Sequence, residues 1–340
     1  MATRIAPAPA DLAPLLEVRG LVTEFRMRAG PPIRANDDVS LTVTRGATLG
    51  IVGESGSGKS VLCRSILRLI PSPPGFVTAG EIRLEGRDLL TLSDEAMRRV
   101  RGIEIRMVFQ NPMTSLNPVW PIGDQIAEGL RVHYGLSGRA ARAEGVELLR
   151  RVGIASPAAR YDDYPFQWSG GMLQRAVIAM AMAGEPKLLL ADEPTTALDV
   201  TIQDQILALL LELQERRRMA IVLVSHDLAV VAETCDAVAV MYAGRIVETA
   251  PTGELFEAPQ HPYTLGLLSS TPRFGERGGR LLPIAGQPPG LAALPPGCPF
   301  ADRCRFASPD CADTPVRLRE TSPGHATACL YPERLAGVAW

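Results

Sequence analysis

Aromatic residues are scarce in this chain, at 5% of the sequence, and neither sign of charge is in excess: 35 Lys and Arg stand against 37 Asp and Glu, a net charge of −2. That balance gives no long-range attraction to nucleic acid or to anionic lipid. The short basic tracts at Arg98, Arg99 and Arg101 and at Arg216 to Arg218 read as solvated helix faces. Long uncharged apolar runs are missing too. The most apolar stretch, Ala220 to Tyr242, is interrupted by Ser225, His226, Asp227, Glu233 and Asp236, so no window offers the roughly 20 apolar residues of a spanning helix. The opening MATRIAPAPADLAP has one Arg and no apolar core, which does not read as a secretory signal and leads us to expect a cytosolic chain. Six cysteines are present, but disulfides are not expected in a reducing compartment. What the chain does have is size: 340 residues, 46% of them hydrophobic, suit a soluble globular protein of about two domains.

The pattern along the chain is an alternation. Residues 1–14 carry Pro7, Pro9 and Pro14 without periodicity and read as a disordered N-terminal arm. LLEVRGLVTEF, DVSLTVTRG and ATLGIVG are short, β-branched and ended by Gly or Arg-Gly, which predicts strands. After Gly58 the pattern turns helical in KSVLCRSILRLI and is stopped by Pro71, Pro73 and Pro74. The block from about Ser93 to Pro165 reads as mostly helical. A helix at MLQRAVIAMAMAG, a strand at KLLLADE, a helix over about 200–217, a strand at MAIVLVSH, then a helix and strand to Glu248 follow. Strands alternating with helices predict an α/β fold with a mostly parallel sheet covered on both faces. Cys63 and Cys235 sit alone in apolar segments and read as buried small hydrophobes. Beyond Pro259 the composition shifts to Pro and Gly, with no periodic element of normal length over 271–299. No internal repeat is visible, and each motif below occurs once.

Gly53-Glu54-Ser55-Gly56-Ser57-Gly58-Lys59-Ser60 satisfies GxxxxGK[ST] between a predicted strand and a predicted helix that opens at Lys59, with Val61 the last of the candidate nucleotide-binding residues there. Glycines at 53, 56 and 58 let successive backbone N–H groups turn inward around phosphate oxygens, and the helix N-terminus adds its positive end. Lys59 supplies a point charge to the terminal phosphates, and the Ser60 hydroxyl is placed for Mg²⁺. A magnesium nucleotide site needs a second carboxylate at a neighbouring strand end. KLLLADE delivers Asp192 to the metal's outer shell and Glu193 one step beyond. Adjacent carboxylates on an apolar strand are costly to bury without a cation or a proton.

With these residues in place, the sequence resembles the nucleotide-binding subunits of ATP-binding cassette (ABC) transporters over roughly 15–260. Gln110 in MVFQNP looks like the lid-loop glutamine that touches Mg²⁺ and the attacking water. Trp168-Ser169-Gly170-Gly171-Met172 looks like the signature LSGGQ, Thr196-Ala197-Leu198-Asp199 like the D-loop, and His226 in LVSHDL, 33 residues after Glu193, like the switch histidine. Phe25 stands where the family places an aromatic on the adenine. The signature departs from consensus at Trp168 and Met172, while the Ser169, Gly170 and Gly171 triplet remains. Ser169 sits where an N-cap would, ahead of an apolar helix. The resemblance implies a P-loop ATPase with an antiparallel β subdomain, a helical signature subdomain at about 111–180, and a small C-terminal domain at 261–340. It implies a head-to-tail dimer in which ATP on one subunit's loop is capped by the other's signature. Glu193 is then the general base on water, His226 holds the γ-phosphate, Gln110 and Asp192 attend the Mg²⁺, and Ser169, Gly170, Gly171 and Asp199 complete the nucleotide contacts.

Within the family, NPMTSLNPVWPIGDQI after Gln110, HPYTLGLLSSTP from His261, and the Pro-Pro-Gly-Cys298-Pro tail look like the dipeptide and oligopeptide importer branch. Nickel, glutathione and some oligosaccharide importers share that branch. In the tail, Cys298, Cys304, Cys311 and Cys329 place four thiols in a segment too irregular to hold itself by apolar burial. Their spacings lack the CxxC pairs typical of zinc sites. Four thiolates without histidine suit a [4Fe-4S] cluster, which the resembling tails are implied to bind, with zinc or unligated thiols as alternatives. His133, His261 and His325 have no constellation around them and are assigned nothing. The function expected is a peripheral ATPase subunit on the cytoplasmic face of a bacterial membrane. Its partners would be a second homologous ATPase, forming a heterodimer, two transmembrane permease subunits and an extracytoplasmic binding protein, with no nucleic acid. The rivals are a soluble cassette protein acting on ribosomes or DNA and a small-molecule phosphotransferase.

Overall fold

The computed structural model describes residues 13–28, 30–196, 198–271, 283–335 and 337–338. Of the arm expected over 1–14, all but Ala13 and Pro14 lies outside the described residues, as does Ala197 of the TALD segment. The described chain forms two compact units. The first takes the residues up to Thr44, Thr48–Leu90 and those from Ser225 onward; the second takes Arg45–Ala47 and Thr91–Val224.

In the first unit an antiparallel sheet runs in the order Ile33–Val43, Leu16–Phe25, Gly75–Leu84, Arg87–Asp88. Leu16, Val18 and Leu21 are buried while Arg19 faces solvent. The odd step from 18 to 21 is a register shift at Gly20, whose φ of +56° lets the strand bulge and keep its apolar face inward. A second sheet of this unit sets Thr48–Val52 parallel to Ala237–Tyr242, which pairs antiparallel with Arg245–Pro251. All five residues of Thr48–Val52 are buried, as a strand covered on both faces requires. Gly50 lies so close to the helix Leu228–Thr234 and its cap that a Cβ there would be 2.8 Å from Val231 and 3.0 Å from the Cys235 sulfur. Cys63 and Cys235 are buried, as the apolar pattern around them predicts.

The C-terminal chain joins the same sheet. A hairpin of Arg319–Ser322 and His325–Thr327 adds to Arg245–Pro251. Fully buried Glu248 ties the region together: it accepts hydrogen bonds from the backbone N–H of Gln260 (2.6 Å) and His261 (2.9 Å), and its carboxylate lies 2.8 Å from Nε2 of buried His325.

The second unit has three parallel strands, Ile105–Val108, Leu188–Asp192 and Ala220–Val224. Its longer helices are Ile122–Tyr134, Gly138–Arg151, Gly170–Met182 and Val200–Arg217. Buried Tyr161 fills the space between the first two: a Cβ on Gly123 would lie 2.3 Å from its ring and one on Gly145 3.0 Å. The strand Ile105–Val108 falls in the block that the sequence pattern assigns to helix. It is four residues long, enters directly from a π-helical turn at Val100–Glu104, and is fixed by pairing with Leu188–Asp192 and not by any periodicity of its own. Among the described residues no helix is long and apolar enough to cross a membrane.

Candidate functional site

In the first unit the strand Thr48–Val52 delivers the chain into the glycine-rich loop and the helix Lys59–Ile66 takes it away. Gly53 and Gly58 have φ of +151° and +103°, and a Cβ would lie 2.1 Å from the Met241 carbonyl oxygen and 2.2 Å from that of Ala35. Only glycine fits either place. Lys59 is buried, 5% exposed as a residue, and its ammonium donates to the carbonyls of Gly53 (2.7 Å) and Glu54 (2.9 Å) and to the Ser57 hydroxyl (3.4 Å). Ser55 and Gly56 are exposed at the rim, while Ser60 and Val61 are half-buried in the first turn of the helix. Buried Asn36, which no motif marks, donates from its side chain to the Gly58 carbonyl at 3.1 Å. A loop whose crowded glycines hold the backbone around a buried lysine suits a polyphosphate. Phe25 ends the strand Leu16–Phe25 half-buried, with a ring atom 3.0 Å from where a Cβ on Gly75 would stand. His226 is exposed between Ser225, whose N–H bonds the Ile51 carbonyl, and Asp227, which caps the next helix.

In the second unit the strand Leu188–Asp192 ends in Asp192, 1% exposed, and the chain then turns through Glu193 in the left-handed region with φ of +47°. A non-glycine residue held there is strained, and such strain concentrates at functional sites. Parallel pairing of Val108 with Ala191 sets the two strand ends side by side. Gln110 therefore meets Glu193 across 83 residues of sequence, its amide donating to the carboxylate at 2.8 Å, and the Thr196 hydroxyl donates to the same oxygen at 2.9 Å. The sequence names Gln110 and Glu193 but not their contact, and Thr196's part in it carries no sequence signal.

Ser169 is the N-cap of Gly170–Met182, its hydroxyl accepting from the Met172 N–H at 3.4 Å. Asp199 caps Val200–Arg217 in the same way through Ile202 at 2.9 Å. The two caps are neighbours: a Cβ on Gly171 would sit 3.0 Å from Ile202 and one on Gly170 3.9 Å from Leu198. Trp168, at the first nonconsensus position, is buried with its indole N–H on the Asp163 carboxylate at 3.0 Å. The larger side chain is thus a packing anchor and leaves Ser169 and Gly170 exposed.

The four late cysteines carry no disulfide and line one cavity with Phe300 and Tyr331. Burial pushes the Cys298 thiol up to about 12 and Cys329 to about 11, and raises Cys304 as well. In kind this donor set fits a thiophilic metal, whose charge would offset that burial. The positions do not: among the described residues no three His, Cys, Asp or Glu groups converge to hold an ion. His261 and His325 have structural partners. His261 caps the helix Pro262–Ser269 by accepting from the Tyr263 N–H at 3.1 Å.

Residues 36–196 match the family described as ABC transporter, and residues 247–311 match the one described as oligopeptide/dipeptide transporter, C-terminal region. A protein of Brucella melitensis that carries the name peptide import ATP-binding protein is 52% identical over 334 residues, 95% of this chain and 98% of the relative. Among solved structures, the dimeric ATP-binding cassette MJ0796 in a post-hydrolysis state with ADP and Pi superposes with a TM-score of 0.63 at 28% identity. That match covers 70% of this chain and 98% of the other. The cbiO1 protein of Clostridium perfringens, part of the ABC transporter complex cbiONQ, gives a TM-score of 0.60 at 28% identity, over 72% and 90% of the two chains.

Proposed function

We propose, from the premise that this chain belongs to the ABC transporter family, that it is the ATP-binding and ATP-hydrolysing subunit of a peptide importer. The observation that carries the reading is the loop from Gly53 to Ser60, where two glycines too crowded for any side chain hold the backbone around an enclosed lysine. The backbone N–H groups and Lys59 bind the phosphates; Ser60 and Asp192 would hold a Mg²⁺, which would supply charge to offset that of the transferred phosphoryl group. Glu193, held by Gln110 and Thr196, takes a proton from the attacking water, His226 keeps the γ-phosphate in line, and Phe25 stacks on the adenine. Ser169, Gly170, Gly171 and Asp199 cap the nucleotide of a partner cassette. We assign 15–260 to the ATPase domain, with a helical subdomain at about 111–180, and 261–340 to a C-terminal domain of the peptide-importer type.

The substrate class rests on the 247–311 match and on the named function of the Brucella relative. The partners in this reading are a second homologous ATPase, two permease subunits and an extracytoplasmic binding protein, with the chain on the cytoplasmic face of the membrane. Purified with these partners in proteoliposomes, it should hydrolyse ATP faster when the binding protein carries peptide; hydrolysis that responds to nickel or a sugar instead would replace the substrate class. In its finer form the reading gives Cys298, Cys304, Cys311 and Cys329 a [4Fe-4S] cluster; its support is that the four thiols line one cavity, and the cluster would have to draw them closer than they stand here. Anaerobically purified protein should then hold about four irons with matching sulfide, and a single zinc would overturn it.

A further inference from the structure

Glu54 follows the first glycine of the phosphate loop, and both its backbone and its carboxylate are held by residues more than 200 positions away in the sequence. Its N–H donates to the Tyr263 hydroxyl at 2.7 Å. Its two carboxylate oxygens take both arms of the Arg303 guanidinium, at 2.7 and 3.0 Å. The Arg303 side chain is 5% exposed. It also donates to the Tyr242 hydroxyl at 3.2 Å and to the Ala285 carbonyl at 2.9 Å, so its orientation is fixed before it meets Glu54. Tyr242, Tyr263 and Phe300 pack ring against ring beside this tie, with centroids 4.5 to 5.4 Å apart.

An exposed ion pair contributes little, but a bidentate pair whose cation is enclosed and already oriented restrains its partner. A glycine-rich loop has the most conformational freedom to lose on binding, so restraint before binding favours affinity. If the loop holds a polyphosphate, a carboxylate beside it repels the ligand, and the Arg303 guanidinium on that carboxylate offsets the repulsion. Resting on the reading of the loop as the ATP site, we propose that Arg303 is a positioning residue for nucleotide binding: through Glu54, and with Tyr263, it sets the phosphate loop from the C-terminal segment.

The test is calorimetric titration of the full chain with MgATP. Arg303→Met should weaken binding about five- to tenfold at a temperature where the variant remains folded, and Arg303→Lys, which keeps the charge but not the fork, should fall between it and the native chain. In a Glu54→Gln background, Arg303→Met should change the affinity less than twofold, because the partner through which it acts is gone. Native affinity in Arg303→Met, or an equal loss in both backgrounds, overturns the proposal. If Arg303→Met does not fold, Arg303→Lys compared in the two backgrounds decides by the same criterion. Failure of the ATP-site reading looks different: MgATP would not bind the native chain, or would bind Lys59→Ala equally well.

Discussion

Glu193 shows how much one residue's chemistry depends on where its backbone is held. Its left-handed φ of +47° carries a cost, and the Gln110 amide and Thr196 hydroxyl, both on one carboxylate oxygen, keep the side chain in one direction. A carboxylate so placed can take a proton from water, which is worth about a hundred- to ten-thousandfold in rate. Glu193→Gln should therefore keep MgATP affinity within about twofold and slow phosphate release at least a hundredfold; unchanged turnover would remove Glu193 as the base. Glu193 stands out in the sequence as a candidate because an acidic pair ending an apolar strand is a local signal. Its contacts do not, since Gln110 is 83 residues distant and the D-loop resemblance of Thr196 names no bond to Glu193. Asn36 and Arg303 were likewise silent: one hydrogen-bonds the loop from a neighbouring strand, the other from 249 residues away.

At the scale of elements, the helices Gly170–Met182 and Val200–Arg217 follow the sequence expectation closely because each carries its own start signal, the side chains of Ser169 and Asp199. The strand Ile105–Val108 does not, for want of any signal within four residues. Trp168 bears on the first of these helices. Buried and bonded to Asp163, it anchors the chain just before the Ser169 cap. Trp168→Ala should cost about 3–5 kcal/mol, as large-to-small core changes do, and lower the melting temperature by several degrees in scanning calorimetry. A melting temperature equal to the native one would show that Trp168 is not an anchor and that the loss of the consensus leucine is neutral.

For the whole molecule, the proposed capping of one chain's nucleotide by a partner's Ser169, Gly170 and Gly171 requires two cassettes to come together. Small-angle scattering of the chain mixed with its cognate ATPase and a non-hydrolysable ATP analogue should give a two-cassette particle, and monomers alone under those conditions would end that account. The family, the α/β alternation and the residues of the glycine-rich loop are readable from the order of residues alone. These depend on backbone freedom, spacing and short-range periodicity, which are written locally. Only the tertiary structure decided which of those residues touch: that Gln110 holds Glu193, that Asn36 bonds the Gly58 carbonyl, and that a segment of mostly irregular composition reaches back through Tyr263 and Arg303 to Glu54. Such contacts follow from strand pairing and ring packing across 22 to 249 positions, where no local preference of the chain can specify a partner.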